Sequence, residues 1–217
     1  MSKAIGANLL RYKKDQLYLV ADGETENLNL ILNNRPWQWS YQRYKGNQLI
    51  ESHDEFIWWP DLKVSKEAAF ITRFDYNVYK SKAGDPKEKI DKFNQYLYDP
   101  NYIIIGANYG NFDSFIHGTW GKLVGITPDY SYFDRIYDIQ CVEKAIELQI
   151  DIPKDRQEYL SFLFKTYGFR KRTLKTSVKF LLKKYEIPFD EFLLHDGIYD
   201  VAKCKEIFDK QIWKKEV

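Results

Sequence analysis

The sequence predicts an α/β layered domain. Three observations predict it. Two short apolar runs, Leu17-Tyr-Leu-Val-Ala-Asp22 and Tyr102-Ile-Ile-Ile-Gly106, stop abruptly at a carboxylate and a glycine. A partly alternating aromatic stretch lies between them, and the C-terminal half carries apolar residues at helical spacing. The first run reads as a buried strand, because apolar neighbours on both faces suit a central position in a sheet. From Pro36 to Tyr44 the pattern sets Trp37, Trp39 and Tyr41 on one side. Lys45-Gly46-Asn47 is a turn signal, followed by Leu49-Ile50 and Phe56-Ile57-Trp58-Trp59 as strand material. Together these suggest an antiparallel meander that begins at the first strand. Asp85-Pro86-Lys87-Glu88 is a helix start: Asp as N-cap, Pro at the first position, Glu three residues after the cap. Ile90, Phe93 and Leu97 then give the 3-4 apolar spacing. The run 102–106 is a second buried strand. Further helices are expected over about 112–120, 141–148, 158–164, 176–185 and 196–212, the fourth ended by Ile187-Pro188.

Length and composition bound the rest. A chain of 217 residues suits one large domain or two small ones. No repeat, low-complexity segment or linker interrupts it, so residues 1–217 read as one domain. With 44% hydrophobic and 17% aromatic residues, intrinsic disorder is excluded. Two cysteines, Cys141 and Cys204, exclude a disulfide scaffold. No run of about 18 apolar residues exists to span a membrane. The opening Met-Ser-Lys-Ala-Ile-Gly lacks the apolar core of a signal peptide. The expectation is a soluble, cytoplasmic protein with no membrane partner. Lys outnumbers Arg, and Asn, Ile and Tyr are frequent, which points to an AT-rich genome, viral ones among the options.

Absences narrow the chemistry. There is no Walker-type loop, GxGxxG, HExxH, GxSxG or CxxC pair. What remains is a set of carboxylates, each at the end of an apolar run. Asp22 and Glu24 flank Gly23 after the first strand; taken alone, such a pair is ordinarily a solvated turn. Asp113 follows the second strand at a helix start, where a carboxylate is ordinarily just favourable to the dipole. His195-Asp196-Gly197-Ile198-Tyr199-Asp200 opens the last helix. Glu26 is one more carboxylate nearby.

The ordered set resembles the DnaQ-like superfamily of 3′–5′ exonucleases, in its DEDDh branch. Asp22-Gly-Glu24-Thr25 matches the first motif, Asp-x-Glu-Thr/Ser. Phe112-Asp113 matches the second. His195, Gly197 and Asp200 match the third, His, four residues, Asp, with a small residue two after the His. Residues 173–188 look like the helix and Ile-Pro that precede the third motif. The resemblance covers residues 17–212. It departs in the second motif, which reads Asn108-Tyr-Gly-Asn111-Phe112-Asp113, and in Gly197, where Ala is more usual.

The resemblance implies a ribonuclease H-like fold: a mixed five-stranded sheet, its first three strands antiparallel, flanked by helices. It implies hydrolysis of phosphodiester bonds from the 3′ end of single-stranded DNA, with release of nucleoside 5′-monophosphates. Two Mg²⁺ or Mn²⁺ ions would be the cofactors, held by Asp22, Glu24, Asp113 and Asp200. Paired divalent cations activate water and stabilise both reacting oxygens, and hard cations want carboxylate oxygens. His195 would be the general base, its ordinary pKa of about 6.5 suiting work near neutral pH. His53 and His117 match no motif and read as structural. Thr25, Asn108, Asn111 and Phe112 would touch substrate. A replicative polymerase is the partner if the role is proofreading; repair, recombination or nucleotide salvage are the stand-alone roles. RNA as substrate, and a degenerate site that only binds nucleic acid, stay open.

Charge distribution adds a substrate surface. The chain has 33 basic and 31 acidic residues, a net of +2, which argues against a purely electrostatic nucleic-acid binder. Yet between Glu158 and Glu186 no acidic residue occurs, while Lys165, Arg170, Lys171, Arg172, Lys175, Lys179, Lys183 and Lys184 do. This reads either as a solvated helix face or, beside the last motif, as a track for a phosphate backbone, with Arg170, Lys171, Arg172 and Lys175 as the expected substrate contacts. Phe112 and the pairs Trp37/Trp39 and Trp58/Trp59 are candidate stacking platforms, although most aromatics here read as core.

Overall fold

A computed structural model describes residues 14–31 and 33–215. The opening Met-Ser-Lys-Ala-Ile-Gly, expected to lack a signal peptide's apolar core, lies outside the described residues. Five strands, β1 (Leu17–Thr25), β2 (Pro36–Lys45), β3 (Gln48–Phe56), β4 (Tyr102–Gly106) and β5 (Ile136–Asp138), form one sheet in the order β3-β2-β1-β4-β5. The first three are antiparallel neighbours, and β1, β4 and β5 run parallel. The carboxyl ends of three strands therefore open on the same edge, where α/β sheets place their ligands.

The helices are α1 (Lys66–Thr72), α2 (Tyr76–Lys82), α3 (Pro86–Leu97), α4 (Asp113–Leu123), α5 (Ile139–Glu147), α6 (Arg156–Gly168), α7 (Val178–Lys184) and α8 (Gly197–Lys215). Side chains alternate along a strand, so Tyr18, Val20, Asp22 and Glu24 share one face of β1 and Leu19, Ala21 and Gly23 the other. Tyr18 packs on Phe208 of α8, with ring centroids 5.0 Å apart. Trp39, opposite Gly23, packs on Phe93 of α3 and Trp120 of α4. The sheet is thus sandwiched between α8, with α5 and α7 beside it, and the α3/α4 pair.

The α3 cap forms as the sequence predicts: Asp85 accepts from the Glu88 N–H, Pro86 stands at the first position, and Ile90, Phe93 and Leu97 are buried. β1 runs three residues past Asp22, so Asp22, Gly23 and Glu24 lie on the strand and not after it. β3 replaces the expected apolar strand: Leu49 and Ile50 are exposed, and Ile57 leaves the sheet to form a bridge with Gly84. α1 and α2 were not expected. They follow caps at Ser65 and Asp75 and close a second apolar cluster around Trp37, Phe56 and Tyr79. Tyr79 Oη donates to the Ile57 carbonyl (2.9 Å) and accepts from the Trp59 N–H (2.7 Å), fixing that chain turn. Trp37, Trp39 and Trp59 are buried and Trp58 stacks on Tyr79, so these rings are core and not stacking platforms. Among the described residues no helix is long and apolar enough to cross a membrane.

Candidate active site

Asp22, Glu24, Asp113, His195 and Asp200 line one cleft of about 460 Å³ at the carboxyl edge of the parallel strands. Each arrives by a different local device. Asp22 and Glu24 point to the same side of β1, toward the start of α8. Asp113 is the first residue of α4 and lies against Gly23, where a Cβ would fall 2.5 Å from a Trp39 ring carbon and 3.4 Å from Asp113 Oδ1, so it is Trp39 that requires the glycine. The Gly23 N–H donates to Asp113 Oδ1 at 3.1 Å, which ties the second motif to the first. Asp200 lies one turn into α8, and its Oδ2 accepts from the His195 N–H at 3.0 Å. His195 holds a left-handed backbone (φ 71°), a conformation that costs a non-glycine residue on the order of 1 kcal/mol and turns the chain into α8.

Gly197 is explained by what faces it. A Cβ at this position would fall 2.2 Å from Ser40 Oγ and 2.9 Å from Ser40 Cβ. Ser40 is buried on β2 opposite Asp22, where its hydroxyl and the Gln38 amide both donate to Asp54 Oδ1 at 2.7 Å. A hydroxyl under the helix start leaves room only for glycine.

The electrostatics of the cleft are one-sided. Burial pushes Asp22 up to about 6. Asp200 rises to about 7, through burial first and then the charge of Asp22. Glu24 is raised well above its ordinary value by burial, then by Asp22, Asp200, Asp113 and Asp196. Asp113 is raised by burial and Asp22, against hydrogen bonds from its own N–H and that of Gly23. Among the described residues that line the cleft, no cation stands unpaired to offset these shifts. Lys179 lines the cleft, but its ammonium is bonded to Glu191 Oε2 at 2.7 Å. His195 is solvent-accessible, and its pKa is lowered by partial desolvation and by Arg73, which keeps the imidazole neutral near pH 7.

This donor set suits hard divalent cations. Four carboxylates supply oxygen ligands, and mutual repulsion is relieved by positive charge between them. Asp200 Oδ1 is buried with no hydrogen-bond partner, an acceptor that a cation would satisfy. Among the described residues, no group of three or more His, Cys, Asp or Glu side chains is drawn together tightly enough to grip an ion as they stand.

The remaining sequence-derived residues divide. Thr25, Asn108 and Phe112 line the same cleft. The Thr25 hydroxyl is engaged in donating to the Asn27 carbonyl (2.7 Å). Asn111 does not line it; its amide donates to Asn108 Oδ1 at 3.2 Å. Arg170, Lys171 and Arg172 line a neighbouring pocket, and Lys175 is exposed outside both. Three of the eight basic residues in the acid-free stretch are neutralised across space: Lys184 by Glu143 and Glu147, Lys179 and Lys183 by Glu191. Glu26 points away from the cleft and pairs with Arg35 at 2.7 Å. His117 is buried against Asn94, its pKa lowered by burial to about 4, and His53 stacks on Tyr41; both are structural. Sequence reasoning missed Gln140, which borders both cavities, and Arg73, which borders a smaller cavity beyond His195. Gln140 follows the N-cap Asp138, whose Oδ1 accepts from the Gln140 and Cys141 N–H groups. An Asp ahead of the apolar spacing Cys141, Val142 and Ala145 is the signal that would have located it.

The strand order and the mixed five-stranded sheet with its helices are those of the ribonuclease H-like exonuclease fold. Among solved structures, the chain is similar to Escherichia coli exonuclease I in a zinc-bound complex with single-stranded DNA: 17% identity, TM-score 0.69, covering 92% of this chain and 41% of that one. Apo exonuclease I gives 15% identity and TM-score 0.66, over 92% of this chain and 42% of that one. Cell-death related nuclease 4 gives 13% identity and TM-score 0.67, over 94% of this chain and 66% of that one. The chain thus spans about two-fifths of the length of the exonuclease I chains it matches. No protein-family model matches the chain, and no curated protein matches it.

Proposed function

We propose that the chain is a divalent-metal-dependent 3′–5′ exonuclease of the DEDDh type, acting on single-stranded DNA. The observation that carries this reading is the convergence of Asp22, Glu24, Asp113, Asp200 and His195 in one cleft, whose lysine, Lys179, is paired with Glu191, in a fold that nucleases share. Nothing about protein stability calls for four carboxylates here, because burial and repulsion raise all four. Asp22, Glu24, Asp113 and Asp200 would hold two Mg²⁺ or Mn²⁺ ions. When bound, the cations would polarise the phosphodiester and neutralise charge on the attacking and leaving oxygens.

The chain's own residues account for the rest. His195, neutral and reachable by solvent, takes the proton of the attacking water. Its backbone N–H holds Asp200 in place, so base and carboxylate keep a common orientation. Phe112, half-buried in the cleft wall, offers a ring face to the terminal base, and Asn108 a polar edge. The preference for single-stranded DNA rests on exonuclease I, whose structures hold such strands.

The test is a 5′-labelled oligonucleotide incubated with Mg²⁺ or Mn²⁺, with matched DNA and RNA. Stepwise shortening from the 3′ end is expected, lost in Asp22→Ala. Intact substrate, where a known exonuclease degrades it, overturns the reading.

A further inference from the structure

We propose that the basic pocket beside the acidic cleft is a phosphate subsite, holding the backbone of a strand whose 3′ end lies among the carboxylates. The proposal rests on the nuclease reading only for the direction of the strand. The pocket has a volume of about 460 Å³. Lys144, Arg170, Lys171 and Arg172 line it, and no carboxylate does. Elsewhere in the same stretch Lys179, Lys183 and Lys184 are paired with Glu191, Glu143 or Glu147, whereas among the described residues no acid pairs with these four. An uncompensated group of four cations in a concave site is an anion site by its chemistry.

The pocket is built and not merely a charged surface. Lys144 is buried, and its ammonium donates to the Thr166 carbonyl (2.7 Å) and the Phe169 carbonyl (3.3 Å), fixing the end of α6. Arg170 donates through one guanidinium nitrogen to the Tyr167 and Phe169 carbonyls. The turn that carries Lys171 and Arg172 is thereby anchored, while those two side chains stay exposed for a ligand.

The pocket is also locked to the cleft. Asn108 and Gln140 border both cavities. Tyr167 Oη accepts from the Gly110 N–H (3.1 Å) and donates to Asp138 Oδ2 (3.1 Å). Asp138 Oδ2 in turn accepts from the Tyr109 N–H at 2.8 Å. The loop that supplies Asn108 and Phe112 to the cleft is therefore tied to the helix that walls the pocket. Acidic and basic cavities form one rigid trough, its acidic end fit for the terminal phosphodiester with its cations and its basic end for a phosphate farther up the strand. That phosphate is either an interior phosphodiester of a longer strand or the 5′-terminal phosphate of a short one.

Fluorescence anisotropy in EDTA tests this without hydrolysis, using a labelled oligo-dT of about 12 nucleotides. The Lys171→Gln/Arg172→Gln double variant should bind it about tenfold more weakly. Its log–log salt slope should be shallower by about 1.4, two contacts at about 0.7 each for single strands. Lys87→Gln/Lys122→Gln, two exposed cations outside the pocket, should bind like wild type. Unlabelled trimers with and without a 5′-phosphate, competing against the labelled strand, separate the sources. A trimer that competes well only when phosphorylated assigns the pocket to a terminal phosphate; trimers that compete poorly in both forms assign it to an interior one. A double variant with wild-type affinity and slope overturns the proposal. Loss of slope in a protein that cleaves nothing in Mg²⁺ would leave the pocket standing and remove the nuclease reading instead.

Discussion

At the scale of single residues, the cleft separates groups that ionise from groups that cannot easily do so. Asp200 sits between a backbone donor at one oxygen and a buried, unpartnered second oxygen, with Asp22 raising its pKa. His195 is shifted the other way, by partial desolvation and Arg73, so it stays neutral where the carboxylates begin to carry charge. Acid–base roles follow from such divergent environments. His195→Gln keeps a polar side chain and removes the base; kcat should fall by about 10²- to 10⁴-fold while KM for a labelled strand changes little. An equal loss in both His195→Gln and a variant of the structural His53 would show that the imidazole has no special part. The acidic motif residues were readable because they stand at the ends of apolar runs. Their lack of counter-charge was not, since that depends on Lys179 finding Glu191 across the fold.

At the scale of elements, what was readable followed length and burial. β1 and β4 are buried on both faces, so their apolar runs announced them. β5 has three residues, and α1 and α2 bury one apolar residue each, Ala68 and Tyr79, so no period emerges, whereas the equally short α7 buries the pair Leu181 and Leu182. The start of α8 shows how an element and the cleft are coupled. Gly197 is required by Ser40, whose buried hydroxyl donates to Asp54 Oδ1 beside the Gln38 amide. Gly197→Ala should destabilise the chain by about 1–3 kcal/mol, because neither the helix start nor the strand has space to move. It should also impair hydrolysis by displacing His195 and Asp200. Adding Ser40→Gly, which removes both clashing atoms, should recover part of the loss. Denaturant titrations of the two single variants and the double give the coupling energy directly. Additive losses would mean that Ser40 is not what excludes a side chain at Gly197.

At the scale of the whole molecule, a net charge of +2 conceals an acidic trough end and a basic one. Repulsion at the acidic end must appear in global stability. Asp22 and Asp200 are raised to about 6 and about 7, against an ordinary value of about 3.9. Between those limits the folded chain binds more protons at these sites than the unfolded chain does. Their contribution to stability therefore falls as pH rises from about 4 to 7, and the full penalty is present above that. His117 acts in the opposite sense. Its folded pKa of about 4 lies below the ordinary 6.5, so stability from that site rises with pH over the same range. The wild-type profile alone is a sum of opposed parts, and a difference isolates the cleft. In EDTA, Asp200→Asn should melt above wild type at pH 8, with the gap closing towards pH 5 as the native carboxyl is protonated. Mn²⁺ at pH 8 should then reverse the order, because only the intact set gains binding energy. At 100 times Kd that gain is about 2.7 kcal/mol, or roughly 5–10 °C for a chain of this size. A gap that does not vary with pH would show that Asp200 carries no such strain. A wild-type melting temperature indifferent to Mn²⁺ would show that these four carboxylates, though gathered in one cleft, do not hold the cation.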